Sequence, residues 1–455
     1  MSASDGETSL STTVGTNISQ RLDRLPISWL HRRLLLIHGC GWLFDAMDVG
    51  IITFVLAALA REWKLPSDQV GLIGSAGMAG MFVGALVSGI VADFYGRKTV
   101  FQWTLLIFCI ATALCALAWS VTSMVVFRFL VGLGLGGELP VVASLLSEFI
   151  PRQKRAKYVV LLESFWAYGW FIAAVIAYFV IPAFGWRIAF AIGFVPAAYV
   201  FIVRRALPES PRWCESKGNM IEADAITSTL EKESEGITGI VLPPLEFNPA
   251  NGTSSSPALG FMSLWQTPYL RHTLVLWVLW FGLVFGYYGI FVWLPTLLVK
   301  SGYSLVSSFG YVVWITFWQI PGYYSAAALI ERIGRKPVIV SYLSLSAFAA
   351  YMFGHASSNV PLMFWACAMS FFNLGAWGAV YAYTPELYPT RIRATGFGSA
   401  VAFGRIGGIL APFVVGILLP TIGREGVLTL NAGLFLLAGG AVGLFGIETK
   451  GRVLE

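Results

Sequence analysis

The chain has 455 residues, of which 57% are hydrophobic and 12% charged, with a mean hydropathy of +0.72. Soluble domains carry about 25% charged residues, so a soluble multidomain enzyme is excluded, as is disorder away from the ends. The net charge of +6 comes from 30 Lys and Arg against 24 Asp and Glu. In a membrane protein such an excess reports loop orientation rather than nucleic-acid binding.

A polar, Ser/Thr-rich stretch from Met1 to Gln20 opens the chain without the pattern of a signal peptide. Twelve apolar segments follow, near 34–60, 69–92, 99–119, 123–146, 156–181, 186–204, 272–298, 308–330, 337–355, 360–383, 395–419 and 427–446. Each is long enough for a helix to cross the ~30 Å hydrocarbon core, or nearly so. The expected fold class is therefore an all-α membrane protein of 12 transmembrane helices in two pseudo-symmetric six-helix bundles. Residues 1–31 form a tail, 32–204 the first bundle, 205–271 a polar central loop, 272–446 the second bundle and 447–455 a second tail. With the N-terminus inside, 23 Lys and Arg fall on the cytoplasmic side and 5 on the other. That asymmetry predicts cytoplasmic termini and a cytoplasmic central loop, in a cell (inner/plasma) membrane.

The halves repeat. DFYGRK (Asp93–Lys98) returns 238 residues later as ERIGRK (Glu331–Lys336), and SEFIPRQKR (Ser147–Arg155) returns at the same offset as PELYPTRIR (Pro385–Arg393). Gly185 and Gly423 keep that offset, and PESPR (Pro208–Arg212) answers IETKGR (Ile447–Arg452). Duplicated helical halves are a transporter architecture, with the substrate site between them near the membrane midplane.

GIVADFYGRK (Gly89–Lys98) resembles the signature between spans 2 and 3 of the major facilitator superfamily, and RFLVGLGLGGE (Arg128–Glu138) resembles its span-4 signature. PESPR and ETKGR are similar to marks of the sugar-porter branch. The paired glutamines of that branch are absent from the span-7 stretch WFGLVFGYYGIFVWLP, and span 5 reads LLESFWAYGW. These strings, with GLGGELPV, look most like the nicotinate permeases of the metabolite:proton symporter group. The resemblance covers about residues 30–455 and implies proton-coupled uptake of a small organic acid.

Charges inside the spans carry the site prediction, because they are costly there, by at least ~2.5 kcal/mol each, and read as functional. The acids are Asp45, Asp48, Glu138 and Glu163, and the bases Arg128 and Arg405. Asp45 and Asp48, at i and i+3, share a helix face. They fit either a proton-loading site or a structural pair bonded to neighbouring helices. Arg128 and Glu138 fit a buried pairing with these acids, or a structural lock between spans 1 and 4. In many members of the superfamily the equivalent arginine is linked to proton transfer.

Arg405 has no in-span carboxylate in its own half. It is expected to hold a substrate carboxylate bidentately, with a structural bridge as the alternative. Trp166 and Trp170 on span 5, Tyr287 and Tyr288 on span 7, Gln319 on span 8, and Asn373, Trp377 and Tyr381 on span 10 supply rings and amides for a flat heteroaromatic acid. Packing or lipid contact is the other use of such aromatic stripes.

Asp93, Arg97, Glu148, Arg152, Arg155, Glu209 and Arg212 in the first half, and Glu331, Arg335, Glu386, Arg393, Glu448 and Arg452 in the second, read as a cytoplasmic gate. Gly80, Gly84, Gly132 and Gly136 read as seams for close helix contact. GLGLGG lacks the strand and the Lys-Ser/Thr ending of a phosphate loop. The four histidines (His31, His38, His272, His355) lie near span ends and suggest no chemistry. No enzyme, cofactor, metal or nucleic-acid partner is indicated, and a monomer is expected.

The reading is a secondary active transporter that couples protons to uptake of a small aromatic monocarboxylate, nicotinate first, by alternating access. A benzoate-like acid, a sugar or polyol, and a non-transporting receptor of the same fold are the alternatives.

Overall fold

A computed structural model describes residues 18–151, 154–199, 207–239, 242, 262–267, 269–389 and 392–450. Among the described residues there are helices and no strands. This follows from the apolar runs: in lipid a helix satisfies its own backbone, which an open strand cannot.

In chain order the helices are α1 (Ile18–Asp23), α2 (Trp29–Glu62), α3 (Ser67–Tyr95), α4 (Arg97–Ala116), α5 (Val121–Phe149), α6 (Arg155–Phe184) and α7 (Trp186–Ile192). The polar loop contributes α8 (Pro211–Ser216) and α9 (Met220–Thr238). The second half holds α10 (Tyr269–Phe291), α11 (Leu294–Lys300), α12 (Leu305–Phe317), α13 (Gln319–Ile333), α14 (Arg335–His355), α15 (Asn359–Glu386) and α16 (Arg393–Phe445). Nine helices among the described residues are long and apolar enough to cross a membrane.

That number differs from twelve for local reasons. The eighth segment is broken into two short helices, and the seventh, though its first part still crosses, is broken near its end. Pro295 opens α11 after a turn at Val292–Trp293. Pro321, which has no N–H to give Phe317, follows the break at Trp318 between α12 and α13. The eleventh and twelfth segments run together in α16, which at about 1.5 Å per residue is far longer than one crossing needs. Gly423 interrupts it, with φ 65° and ψ −171°. Of the sixth segment, the described part is α7 and a 3-10 turn at Val195–Ala198.

The repeat seen in the sequence reaches the helix ends. The 238-residue offset carries α3 onto α12 and α13 taken together, and α4 onto α14 to within a residue. It also pairs two turning points. Gly96 (φ 94°) maps onto Gly334 (φ 100°), and Gly185 (φ 81°) onto Gly423 (φ 65°). With ψ near 180° this is a backbone region that only glycine enters cheaply.

Small residues set the closest approaches. A Cβ on Gly80 or Gly84 would strike the carbonyl oxygens of Phe129 and Leu133, and one on Gly132 or Gly136 those of Gly77 and Met81. This locks α3 to α5. Between the halves, α3 lies along α16 and α6 along α12. Among the described residues, contacts there concentrate at the end away from the charged motifs. Lys300 donates to Ser67 Oγ at 2.7 Å, Ser75 donates to Ile409 O at 2.7 Å, and Phe54 meets Phe309 edge-on at 5.1 Å. Towards the motif face the last hydrogen bond between halves among the described residues joins Tyr168 and Tyr324, hydroxyl to hydroxyl, at 3.0 Å.

Candidate functional site: an aromatic cavity with one guanidinium

A narrow cavity lies between the halves. Helix α2 contributes Trp42, α6 Glu163 and Trp166, α10 Trp280, Val284 and Tyr288, α15 Trp377 and Tyr381, and α16 Val401 and Arg405. On α10, α15 and α16 the lining residues follow four-residue spacing, so each helix presents one stripe to the space. The walls are tied together. Trp42 and Trp166 sit 5.0 Å apart, Trp280 and Tyr381 5.0 Å apart, and Trp280 Nε1 donates to Thr384 Oγ1 at 3.0 Å.

Arg405 is half-buried, and its Nη1 approaches Met81 Sδ at 3.6 Å. Among the described residues it forms no ion pair within 4.0 Å. Glu163, 2% exposed, lies on the same cavity beside the Trp42 indole. A guanidinium and a carboxylate thus share one aromatic chamber without bonding one another.

Of the substrate residues expected from sequence, Arg405, Trp166, Tyr288, Trp377 and Tyr381 line the cavity, while Trp170, Tyr287, Gln319 and Asn373 do not. Tyr287 is a second layer: it stacks on Phe291 at 4.6 Å and accepts from Trp166 Nε1 at 3.4 Å. Trp170 packs edge-on against Tyr287 at 5.7 Å. Gln319 and Asn373 are fully buried, their amides without a hydrogen-bond partner among the described residues, and Gln319 lies beside the Tyr287 hydroxyl. Trp42 and Trp280 were missed, yet a signal existed. Trp42 precedes Asp45 by three residues, and Trp280 precedes Tyr288 by eight, which is the same stripe.

The buried charges of the first half fall into two groups. Arg128 Nη1 bonds Asp48 Oδ2 at 2.8 Å, with Thr112 Oγ1 donating to Asp48 Oδ1 at 3.0 Å. Asp45 instead faces Glu138, carboxyl against carboxyl. None of those four oxygens accepts a hydrogen bond from a described donor. Gly41 makes room for this approach, since a Cβ there would sit 2.7 Å from Glu138 Oε1. Asp45 and Asp48 therefore share a helix face, as expected, but their first partners differ. Arg128 serves Asp48 and leaves Glu138 without a cation.

At the charged-motif face several described groups have bonds within their own half. Glu209 accepts from Lys98 N at 3.2 Å, and Glu448 from Arg335 N and Lys336 N at 3.0 Å each. These two glutamates cap the starts of α4 and α14, where amides are unpaired and the helix dipole is positive. Arg335 Nη2 bonds Glu386 Oε1 at 3.0 Å, Arg393 Nε donates to Tyr388 O at 3.2 Å, and Arg212 bonds Asp23 at 3.2 Å. Glu331 is exposed. Arg152 and Arg452 lie outside the described residues, as do the side chains of Asp93, Arg97, Glu148 and Arg155. Burial disfavours the Glu448 carboxylate, but the amides of Lys450, Arg335, Lys336 and Thr449 outweigh it and hold this carboxyl below its usual range.

Apolar crossing helices, a duplicated half and a central cavity reached between the halves define a membrane transporter of the major facilitator type. The chain belongs to the family described as Sugar (and other) transporter, whose model matches residues 43–455. It is 46% identical to the niacin transporter NiaP of Acinetobacter baylyi, over 96% of this chain and 99% of that one. It is 43% identical to a putative niacin/nicotinamide transporter NiaP of Bacillus subtilis, over 94% of this chain and 99% of the relative. Among solved structures, the xylose transporter XylE from E. coli in a partially occluded inward-open conformation superposes with a TM-score of 0.75. That match has 17% identity and covers 94% of this chain and 100% of the other, so it is a likeness of fold.

Proposed function

We propose that this transporter carries nicotinate, or a close aromatic monocarboxylate, together with a proton. One observation carries the reading: Arg405, without an ion-pair partner among the described residues, borders a cavity walled by Trp42, Trp166, Trp280, Trp377, Tyr288 and Tyr381. A guanidinium takes a carboxylate bidentately, and indole and phenol faces take a flat ring. The high identity to niacin transporters supports the same substrate.

Proton coupling follows from charge. Glu163 borders the cavity that is to receive an anion, and two negative charges in one dry chamber repel strongly. Glu163 binds a proton as the substrate enters. Asp45 and Glu138 face each other with no described donor between them, so they hold one proton in common. Closure of the halves away from the motif face, and fewer contacts among the described residues towards it, suit a state open to the cytoplasm in a twelve-span, alternating-access carrier. The described motif charges, bonded within each half, act as hinges and caps for the rocking bundles.

A benzoate-like acid is the second reading. It is favoured by the absence of Gln319 and Asn373 from the cavity wall, which leaves a ring nitrogen without an amide.

Uptake of labelled nicotinate into proteoliposomes tests the proposal. Accumulation driven by an inward proton gradient and abolished by a protonophore is expected. Benzoate that competes as well as nicotinate would move the assignment to the second reading, and the lack of any nicotinate flux in folded protein would end the first.

A further inference from the structure

Among the four histidines, His38 is the most deeply buried. It is fully buried on α2, seven residues from Asp45 and seven from His31, which is also buried. Seven residues are two helical turns, so the three groups form a line down one face of α2. From Asp45 to His31 the line runs about 21 Å at 1.5 Å per residue. That is enough to pass from mid-membrane to the interface, since half the hydrocarbon core is about 15 Å.

The hydrogen bonding fixes the His38 tautomer. Nδ1 lies 2.6 Å from Leu34 O. A carbonyl only accepts, so Nδ1 carries the hydrogen and Nε2 a lone pair. Nε2 has no hydrogen-bond partner among the described residues. A buried base without a donor is costly to keep, and it stands one turn from the place where Glu138 passes over Gly41.

The surroundings are otherwise apolar. Helix α4 stacks Phe101 on the His38 ring at 6.2 Å and 11°. Helix α6 brings Phe165 against the neighbouring Gly39, and the Tyr199 hydroxyl donates to Ile37 O at 2.6 Å. Glu138 from α5 reaches α2 at Gly41, three residues along from His38, and Asp45 lies one further turn on.

We propose that His38 is a relay residue that takes the proton released by the Asp45–Glu138 pair and passes it along α2 towards the His31 end. The inference rests on the proton-coupled reading above. An O–H bond of the carboxyl pair breaks to an intervening water, which gives up one of its own protons as an N–H bond forms at Nε2, since no described carboxyl oxygen lies within hydrogen-bond reach of Nε2. That N–H then breaks to water on the His31 side, while Nδ1–H stays on Leu34 O throughout.

The test uses the full chain in liposomes, with labelled nicotinate as probe. Gradient-driven accumulation, counterflow at equal pH and the dependence of accumulation on internal pH are measured together. Wild-type accumulation that ignores a protonophore removes the coupled reading, and the relay with it. Where wild type is coupled, His38→Asn keeps an amide donor for Leu34 O but holds no extra proton. Its counterflow is expected within about twofold of wild type, with accumulation lowered roughly tenfold or more and its internal-pH dependence flattened. Accumulation within about twofold of wild type overturns the relay. Parallel loss of counterflow and accumulation in both His38→Asn and His38→Gln also overturns it, because that pattern marks a packing role.

Discussion

Arg405 differs from the other buried cation, Arg128, in what surrounds it. Arg128 is 3% exposed and held by Asp48, so its charge is already answered inside the protein. Among the described residues, the Arg405 guanidinium has a bonding-range contact only with the Met81 thioether, at 3.6 Å. Charge-assisted hydrogen bonds contribute about 1.5–3 kcal/mol, so Arg405→Ala should raise the KM for nicotinate roughly 10- to 100-fold. Arg405→Lys should recover only part of this, since an ammonium lacks the planar fork. Nicotinamide, which has no carboxylate, should compete poorly with wild type and lose little against the Ala variant; competition uptake assays measure both. For Asp48 the expected effect is on stability. Asp48→Asn leaves Arg128 charged and uncompensated, at a cost of roughly 3–5 kcal/mol, and the double change Asp48→Asn, Arg128→Met should restore much of it. Thermal unfolding in detergent reports both, and a single variant as stable as wild type would show that the pair is dispensable.

Helix ends explain what the charged motifs do. Glu448 sits on the first amides of α14, beside Gly334, where a Cβ would lie 2.6 Å from Glu448 Oε2. Its folded carboxyl titrates below the unfolded one. The cap's contribution is therefore fully present above the unfolded carboxylate value of about 4.3 and is lost as pH falls through the lower folded value. Hydrogen exchange at Arg335 and Lys336, corrected for intrinsic rates, should show protection falling below about pH 4 in wild type. In Glu448→Gln protection should be lower and flat across that range. The helices and the repeat were legible in the sequence because long apolar runs and 238-residue echoes depend on local composition alone. The breaks at Trp293 and Trp318 were less so, since a proline a few residues later decides them within an unbroken apolar run. The partners of Asp45 and Asp48 were not legible at all. Both lie on one face of α2, and the glycine at 41 that admits Glu138 matters only once α5 is in place. The same holds for the cavity wall: Tyr288 could be chosen from its neighbour Tyr287 only after α10 had been turned against α15.

At the scale of the whole molecule, transport requires that the contacts now closing one end be broken in another state. The cross-half contacts at that end include Lys300 to Ser67, Ser75 to Ile409, Phe54 against Phe309, and the close approach of Gly71 to Pro412. Lys300 ends α11 and Ser67 begins α3, so the first of these spans the mouth between the halves. A rocking carrier must separate them once per cycle. The variant Ser67→Cys, Lys300→Cys, in a background with Cys40, Cys109, Cys115, Cys214 and Cys367 replaced, should transport before treatment. A short, cleavable thiol cross-linker should stop net uptake and counterflow alike, and cleavage should restore both. The cavity would still be reached from the motif face, so nicotinate should go on binding to the cross-linked protein. Binding without flux is what a two-sided carrier locked on one side must show. Flux that survives complete cross-linking would mean that the halves need not part at this end, and that substrate leaves the cavity by another route.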